Sequence, residues 1–225
     1  MNHKKIFHYL FMLILLVRCD EKKEQSMEIN DLKLNQIQVI GSHNSYRIHP
    51  TIDMFNLMLG LNPELASELD YDHPSFDVQF SQHGIRQIEI DVYHDPEGGL
   101  FYNQRGNLFI GLPVASGIQE LLNPGLKVLH FPDIDYRTHY ITFVDALTAV
   151  KTWSDTNPNH IPIFILVEAK DEGLTSVYPS LSGFTQPLPF DGDALDAIDT
   201  DIRSVFGDDL SKVITPDDIR GDKES

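Results

Sequence analysis

Four short stretches of the chain have the residue pattern of β-strands. They lie at residues 37–40, 86–93, 127–130 and 161–167. The second stretch alternates strictly, with Ile88, Ile90 and Val92 on one face and polar side chains on the other. The fourth stretch is almost continuously apolar, which predicts a strand buried on both faces.

Stretches with helical spacing alternate with most of these strands. They lie at residues 53–61, 75–83, 140–155 and 193–206. In the third stretch, Val144, Leu147 and Val150 fall on one apolar stripe. Strands that alternate with helices are typical of βαβ units, so the sequence predicts an α/β fold with a parallel sheet.

Side chains that bind metal ions or transfer protons fall at the ends of the predicted strands. They are His43, Asn44, Glu89, Asp91, His130 and Glu168. The carboxyl ends of parallel strands meet at one edge of a sheet or at one face of a β/α barrel. A random scatter of acidic residues would not favour strand ends. The arrangement therefore predicts a single functional site at that edge.

Four of these residues offer oxygen ligands for a metal ion. Asn44 supplies an amide carbonyl, and Glu89, Asp91 and Glu168 supply carboxylates. Such hard oxygen donors suit Ca²⁺ or Mg²⁺ better than Zn²⁺. Three clustered carboxylates would raise the pKa of one another unless a cation lay among them. The set therefore predicts a divalent-metal site.

The two remaining residues are histidines, whose intrinsic pKa values lie near neutrality. One imidazole can take a proton from an attacking hydroxyl while the other protonates a leaving oxygen. With a metal ion that neutralises phosphoryl charge, His43 and His130 are suited to phosphodiester cleavage. Lys170, two residues beyond Glu168 and on the same strand face, is a further candidate to contact the phosphate.

Composition excludes several classes of protein. The 225 residues, 41% of them hydrophobic, are enough for one substantial core. Seventeen Lys and Arg against thirty-four Asp and Glu give a net charge of −17, which disfavours nucleic acid as a partner. A single cysteine excludes an intramolecular disulfide and a cysteine-based zinc site.

The first thirty residues have the pattern of an export signal followed by a tether. Residues 1–18 combine a basic start with an apolar run that is too short to span a bilayer. Cys19 follows, as in a bacterial lipoprotein signal, although Arg18 stands where such signals carry a small residue. Residues 19–30 are charged and predict a tether. We therefore expect an exported protein, in the periplasm or at the outer cell surface, lipid-anchored through Cys19. The alternative is a plain export signal with an incidental cysteine.

The candidate site residues lie in four segments with a family pattern. The segments are IGSHNSYR (40–47), GIRQIEIDVY (84–93), KVLHFPDIDYRT (127–138) and FILVEAKDE (164–172). Together they resemble the Ca²⁺-dependent phosphoinositide-specific phospholipase C family, in particular its bacterial secreted branch. The resemblance implies a TIM-like β/α barrel over residues 31–225. Because a complete barrel takes about 250 residues, we expect the N-terminal half to two-thirds of it.

The resemblance also implies a mechanism and a cofactor. His43 would be the general base and His130 the general acid. The ligands of Ca²⁺, rather than Mg²⁺, would be Asn44, Glu89, Asp91 and Glu168. The inositol 2-hydroxyl of a phosphodiester lipid such as phosphatidylinositol would attack phosphorus, giving diacylglycerol and a cyclic inositol phosphate. Residues that recognise the inositol ring would lie mostly on later strands.

Two other functions fit the same residues. A glycerophosphodiester phosphodiesterase also uses Glu-x-Asp and two histidines. That family has His-Arg at the end of its first strand, however, where this chain has His43 and Asn44. The third hypothesis is a non-catalytic surface lipoprotein with a decayed barrel.

Single residues also have structural explanations. Glu89 and Asp91 would suit the solvated face of an amphipathic strand. Glu168, directly after an apolar run, needs either Lys170 or a metal ion as its partner. Asp133 and Asp135 would either orient His130 or form a turn.

Overall fold

The computed structural model describes residues 33–178, 183–215 and 218–219. Six α-helices lie in these residues: α1 (Ile52–Leu61), α2 (Pro63–Glu68), α3 (Phe76–Gln82), α4 (Phe143–Thr156), α5 (Leu174–Val177) and α6 (Gly192–Phe206). The two strands described are β1 (Gln87–Tyr93) and β2 (Phe164–Lys170). Short 3-10 helices lie at Leu34–Gln36, Arg105–Ile110, Gln119–Leu122 and Gly207–Lys212. The chain is therefore a mixed helix and strand protein, as the sequence predicts. None of the described helices has the length and apolar character needed to cross a membrane.

The predicted helices form with boundaries close to those expected from the sequence. Helix α4 begins after a capping box, in which the Thr142 hydroxyl accepts a hydrogen bond from Asp145 N while Asp145 accepts one from Thr142 N. Asp191 is the N-cap of helix α6, and its side chain accepts a hydrogen bond from Ala194 N. These local interactions explain why pattern alone located both helices.

Strands β1 and β2 pair in parallel, with Gln87 opposite Phe164 and Tyr93 opposite Lys170. The sequence predicts this second strand at residues 161–167, whereas β2 begins three residues later and includes Glu168. Pro162 has no N–H to donate, so pairing begins at Phe164, whose N–H donates to the carbonyl of Arg86. The strand then extends through Glu168 to Lys170.

The other two predicted strands are wrong as continuous strands. Near residues 37–40, regular pairing is limited to a single parallel bridge between Gly41 and Gln87. Within residues 127–130, Lys127 bridges Tyr93 in the antiparallel direction. The Lys127 ammonium is buried and donates to the carbonyls of Asn123 and Gly125, which holds this segment in a turn. The described residues thus form a two-stranded open sheet, and closure into a barrel remains a prediction.

The core lies between one face of the sheet and helices α3, α4 and α6. Its fully buried members include Ile88, Ile90, Val92 and Phe143, with Leu147 only 2% exposed. Burying such a side chain contributes roughly 1.5–3 kcal/mol. The alternation of β1 therefore points its apolar face into this core and its acidic face the other way.

Strand β2 is not buried on both faces, contrary to the prediction. Ile163, Ile165 and Val167 pack against the core, but Leu166 is 53% exposed and Phe164 is 37% exposed. The near-continuous apolar run therefore has one packed face and one accessible face. The accessible face is the one that carries Glu168 and Lys170.

Candidate active site

Three carboxylates converge near the carboxyl end of the two-stranded sheet. The register places Asp91 beside Glu168, and Glu89 lies two residues before Asp91 on the same face. One oxygen from each carboxylate lies within 4.8 Å of the others. The structure thus brings together three of the four predicted metal ligands.

Burial of this acidic cluster makes its charge costly. Asp91 is fully buried, Glu89 is nearly so, and the Glu168 side chain is 46% exposed. Burial raises the pKa of Glu89, and Asp91 and Glu168 raise it further, whereas His43 lowers it. Burial also raises the pKa of Asp91, an effect that Lys170 partly offsets. Both carboxyl groups therefore gain from any added positive charge.

Lys170 supplies one such charge. Its Nζ lies 3.4 Å from Asp91 Oδ2 and 3.2 Å from Glu168 Oε1. Burial by itself lowers the pKa of Lys170, but the two carboxylates outweigh burial and raise it. Lys170 lies on the same strand face as Glu168, as the sequence predicts, and pairs with the acidic cluster. The phosphate contact predicted for Lys170 stays a prediction.

The acidic cluster fits a calcium ion. Within the described residues, both oxygens of Asp91 are buried without a hydrogen-bond partner. Calcium binds oxygen ligands at about 2.3–2.6 Å, so ligand oxygens on opposite sides of one ion lie about 4.6–5.2 Å apart. One oxygen from each of the three carboxylates lies within 4.8 Å of the other two, which is compatible with that geometry. Three carboxylates and one lysine leave a formal charge of −3 + 1 = −2, which one divalent cation would neutralise.

Asn44 lies in the loop that runs alongside β1. Ser45 N donates to the Glu89 carbonyl, and Glu89 N donates to Ser45 Oγ. Asn44 has a φ of 50°, a left-handed conformation that asparagine tolerates well. Its amide nitrogen donates to the Tyr71 hydroxyl, and its Oδ1 accepts from the Tyr46 hydroxyl. Ligation of a metal ion by Asn44 Oδ1, which can accept a second bond, stays a prediction.

His43 stands at the accessible rim of the site. Its side chain is 72% exposed, and its Nε2 lies 3.7 Å from Glu89 Oε2. His73 Nε2 donates to the backbone carbonyl of His43, which fixes the loop while leaving the imidazole accessible. A surface cavity of about 580 Å³ opens beside His43, lined also by Tyr71, His73 and His83. His43 is therefore placed to meet a ligand that enters from solvent.

His130 is held from two sides. Its backbone carbonyl accepts a hydrogen bond from the Tyr93 hydroxyl at 3.0 Å, at the last residue of β1. Its Nδ1 lies 2.8 Å from Asp135 Oδ2, and the same oxygen accepts from Arg47 Nε at 2.7 Å. His130 is 8% exposed, whereas Arg47 and Asp135 are fully buried. The two predicted catalytic histidines thus differ sharply in exposure.

Several supporting residues had no role in the sequence-based interpretation. They are Tyr46, Arg47, Tyr71, His73 and Tyr93. Burial and the Asp91 charge raise the pKa of Tyr46, which keeps its hydroxyl a hydrogen-bond donor at the site. Tyr46 and Arg47 lie three and four residues after His43 in the segment IGSHNSYR, but no sequence signal shows that Arg47 reaches Asp135, 88 positions away.

The two aspartates after His130 have different roles. Asp135 contacts His130, which agrees with the orienting role considered from the sequence. Asp133 forms the turn instead: its φ is 75°, and its carboxylate accepts from the backbone N–H groups of Arg105 and Thr185.

A buried acidic cluster that suits a divalent cation, with His43 beside Glu89 and His130 held by Asp135, fits the class of metal-dependent phosphodiester-cleaving proteins. Comparison with protein families assigns the chain within it. Residues 32–225 match the family "Phosphoinositide phospholipase C, Ca2+-dependent", and the chain therefore belongs to this family. Comparisons with curated proteins and with solved structures find no match. Because the family is a Ca²⁺-dependent phospholipase C family, the acidic cluster is the candidate calcium site of this chain.

Proposed function

We propose that the protein is a Ca²⁺-dependent phosphodiesterase of the phospholipase C type, which cleaves a phosphodiester lipid such as phosphatidylinositol. The observation that carries the proposal is the acidic cluster, because Asp91 has two buried oxygens without hydrogen-bond partners among the described residues. Lys170 Nζ, 3.4 Å from Asp91 Oδ2, supplies one positive charge for three carboxylates, so the cluster still favours a divalent cation. The family match supports the reaction class.

Glu89, Asp91 and Glu168, with the amide oxygen of Asn44, would hold the ion. When bound, calcium supplies positive charge that stabilises the phosphoryl oxygens and lowers the pKa of the attacking hydroxyl. Lys170, already beside two of the carboxylates, would add a further positive charge near the phosphate.

The two histidines would carry the proton transfers. His43 takes the proton of the inositol 2-hydroxyl while the hydroxyl oxygen forms a bond to phosphorus. The bond from phosphorus to the diacylglycerol oxygen breaks, and His130, protonated on both ring nitrogens, donates its Nε2 proton to that oxygen. The products are diacylglycerol and a cyclic inositol phosphate. The accessible His43 and the enclosed His130 suit these separate tasks, since one meets the entering hydroxyl and the other is held in a fixed orientation.

Hydrolysis of phosphatidylinositol in mixed micelles tests the reaction. We expect activity that is lost with a calcium chelator and that falls about 10²- to 10⁴-fold in His43→Ala and in His130→Ala. His160→Gln is the matched control, because His160 precedes the opposite end of β2 and bonds to Ser154. Full activity in both alanine variants would refute the assigned roles. Hydrolysis of glycerophosphodiesters alone would favour the alternative substrate class.

We also propose that the protein is exported and lipid-anchored through Cys19. Residues 1–18, the candidate signal, and residues 19–30, the candidate tether, lie outside the described residues. Support comes from the sequence pattern and from charge, since a chain with a net charge of −17 is repelled by anionic bilayers and gains from an anchor. Incorporation of labelled palmitate into the wild type, and its loss in Cys19→Ser, is the expected result. Equal labelling, or none in either protein, would reject the anchor.

A further inference from the structure

We infer that Asp135 and Arg47 form a positioning pair that holds His130 as the Nδ1–H tautomer and leaves its Nε2 to exchange a proton with the substrate. The inference rests on the proposed function for its consequence, although the tautomer itself can be measured independently. Asp135 and Arg47 touch neither the substrate nor the metal in this proposal, so both act through His130.

A single oxygen joins three residues from two distant parts of the chain. Asp135 Oδ2 lies 2.7 Å from Arg47 Nε and 2.8 Å from His130 Nδ1. An ionised carboxylate only accepts hydrogen bonds, and the arginine guanidinium only donates them. The contact at Nδ1 therefore needs a proton on that nitrogen. With Nδ1 as a donor, the neutral imidazole has its lone pair on Nε2. Nε2 is therefore the nitrogen that takes up a proton, and the resulting imidazolium is the form that donates it to the leaving oxygen.

Burial makes this arrangement rigid. Arg47 and Asp135 are both fully buried, and the charge of one balances the charge of the other. Arg47 Nη2 also donates to the Leu69 carbonyl at 2.8 Å, and Nη1 donates to the Tyr71 carbonyl. With all three guanidinium nitrogens engaged, Arg47 has no freedom to release Asp135.

The turn that carries Asp135 is fixed as well. Phe131 and Asp135 exchange two backbone hydrogen bonds, of 3.1 and 3.0 Å. Asp133, at the tip of this turn, donates its N–H to the Gln104 side chain. A methyl group at Gly106 would overlap the carbonyl oxygen of Asp133, so this approach depends on glycine. The turn therefore delivers Asp135 to His130 without relying on side-chain flexibility.

Arg47 also connects the two histidine loops. It lies in the loop of His43 and Asn44, and its guanidinium stacks on the Tyr71 ring at 4.7 Å. The Tyr71 hydroxyl accepts from Asn44 and lies 3.5 Å from His43 Nδ1. One buried cation thus sets the position of both loops, which keeps the two histidines in a constant relation to each other.

Nitrogen-15 NMR of the histidine-labelled wild-type chain, at a pH where imidazole is neutral, measures the tautomer directly. The His130 signals are assigned by their absence in His130→Gln. We expect the Nδ1–H form for His130, and we expect Asp135→Ala to shift it toward the Nε2–H form that unrestrained histidine prefers. An Nε2–H tautomer in the wild type overturns the inference, whether or not the Asp135 variant folds.

Activity separates positioning from structure. We expect Asp135→Ala to lower kcat about 10²-fold with KM and calcium binding unchanged. Asp135→Asn should recover much of that loss, because its amide oxygen can still accept from both Arg47 and His130 Nδ1. Asp53→Asn, at an exposed position in the first turn of α1, is the control and should leave the tautomer unchanged. Equal activity in Asp135→Ala and the wild type contradicts the positioning role. A wild type with the Nδ1–H tautomer but no phosphodiesterase activity would instead reject only the proposed function.

Discussion

Replacing Asp91 with asparagine tests the acidic cluster as a calcium site. Asp91 is the fully buried carboxylate of the three, and the substitution keeps its shape while removing one negative charge. The formal charge of the cluster with Lys170 changes from −2 to −1. Because burial and Glu168 raise the pKa of Asp91, the charged form is already disfavoured without metal. We therefore expect metal-free Asp91→Asn to be within about 1 kcal/mol of the wild type.

Calcium should separate the two proteins. At a calcium concentration one hundred times the wild-type Kd, binding stabilises the wild type by about 2.7 kcal/mol. For a domain of this size, 1 kcal/mol corresponds to roughly 2–4 °C, so Tm should rise by roughly 5–11 °C. Changes in groups that only support metal ligands cost about 10- to 100-fold in affinity, so loss of a ligand should cost at least about 100-fold. At the same calcium concentration, binding would then stabilise the variant by about 0.4 kcal/mol or less, which raises Tm by roughly 1–2 °C.

Differential scanning calorimetry with and without calcium measures both effects. Asp53→Asn is the matched control, because Asp53 is exposed in the first turn of α1, away from the acidic cluster. We expect it to keep the full calcium shift. The reasoning is refuted if Asp91→Asn shows the same calcium shift as the wild type. A loss of about 3 kcal/mol or more in the metal-free variant would instead identify Asp91 as the structural partner of Lys170.

Two further predictions concern stability. Burial raises the pKa of Glu89 and of Asp91 above their unfolded values of 4.5 and 3.8, so the folded state holds more protons than the unfolded state as the pH rises above those values. The free energy of unfolding of metal-free protein, measured in urea, should therefore fall as the pH rises, and that of the double variant Glu89→Gln, Asp91→Asn should not. An equal dependence on pH in the wild type and the double variant would contradict the raised pKa values of these two groups. Lys127→Met should destabilise the chain by about 3–5 kcal/mol in urea, because it leaves the buried Asp95 carboxylate, 3.5 Å from Nζ, without its counter-ion. Adding Asp95→Asn should recover part of the loss, whereas no recovery would place the cost in the lost hydrogen bonds to the Asn123 and Gly125 carbonyls and not in the ion pair.

The helices were largely predictable from the sequence because their signals are local. An apolar stripe and a capping residue act within a few positions, as at Thr142 and Asp145 in α4. The strand of residues 86–93 was predictable for a similar reason, since strict alternation over eight residues is a strong signal. The segments near residues 37–40 and 127–130 were not, because a short apolar run becomes a strand only where a partner pairs along its whole length.

The sequence by itself determined which residues are candidates for the site and on which strand face they lie. Spacing of two along a strand puts Glu89 with Asp91, and Glu168 with Lys170, whatever the rest of the chain does. The tertiary structure decided how these pairs meet. The register of β1 and β2 sets Asp91 beside Glu168, and a carboxylate oxygen that binds both Arg47 and His130 joins loops that are far apart in sequence. Such contacts depend on the packing of distant segments, so residue spacing alone does not predict them.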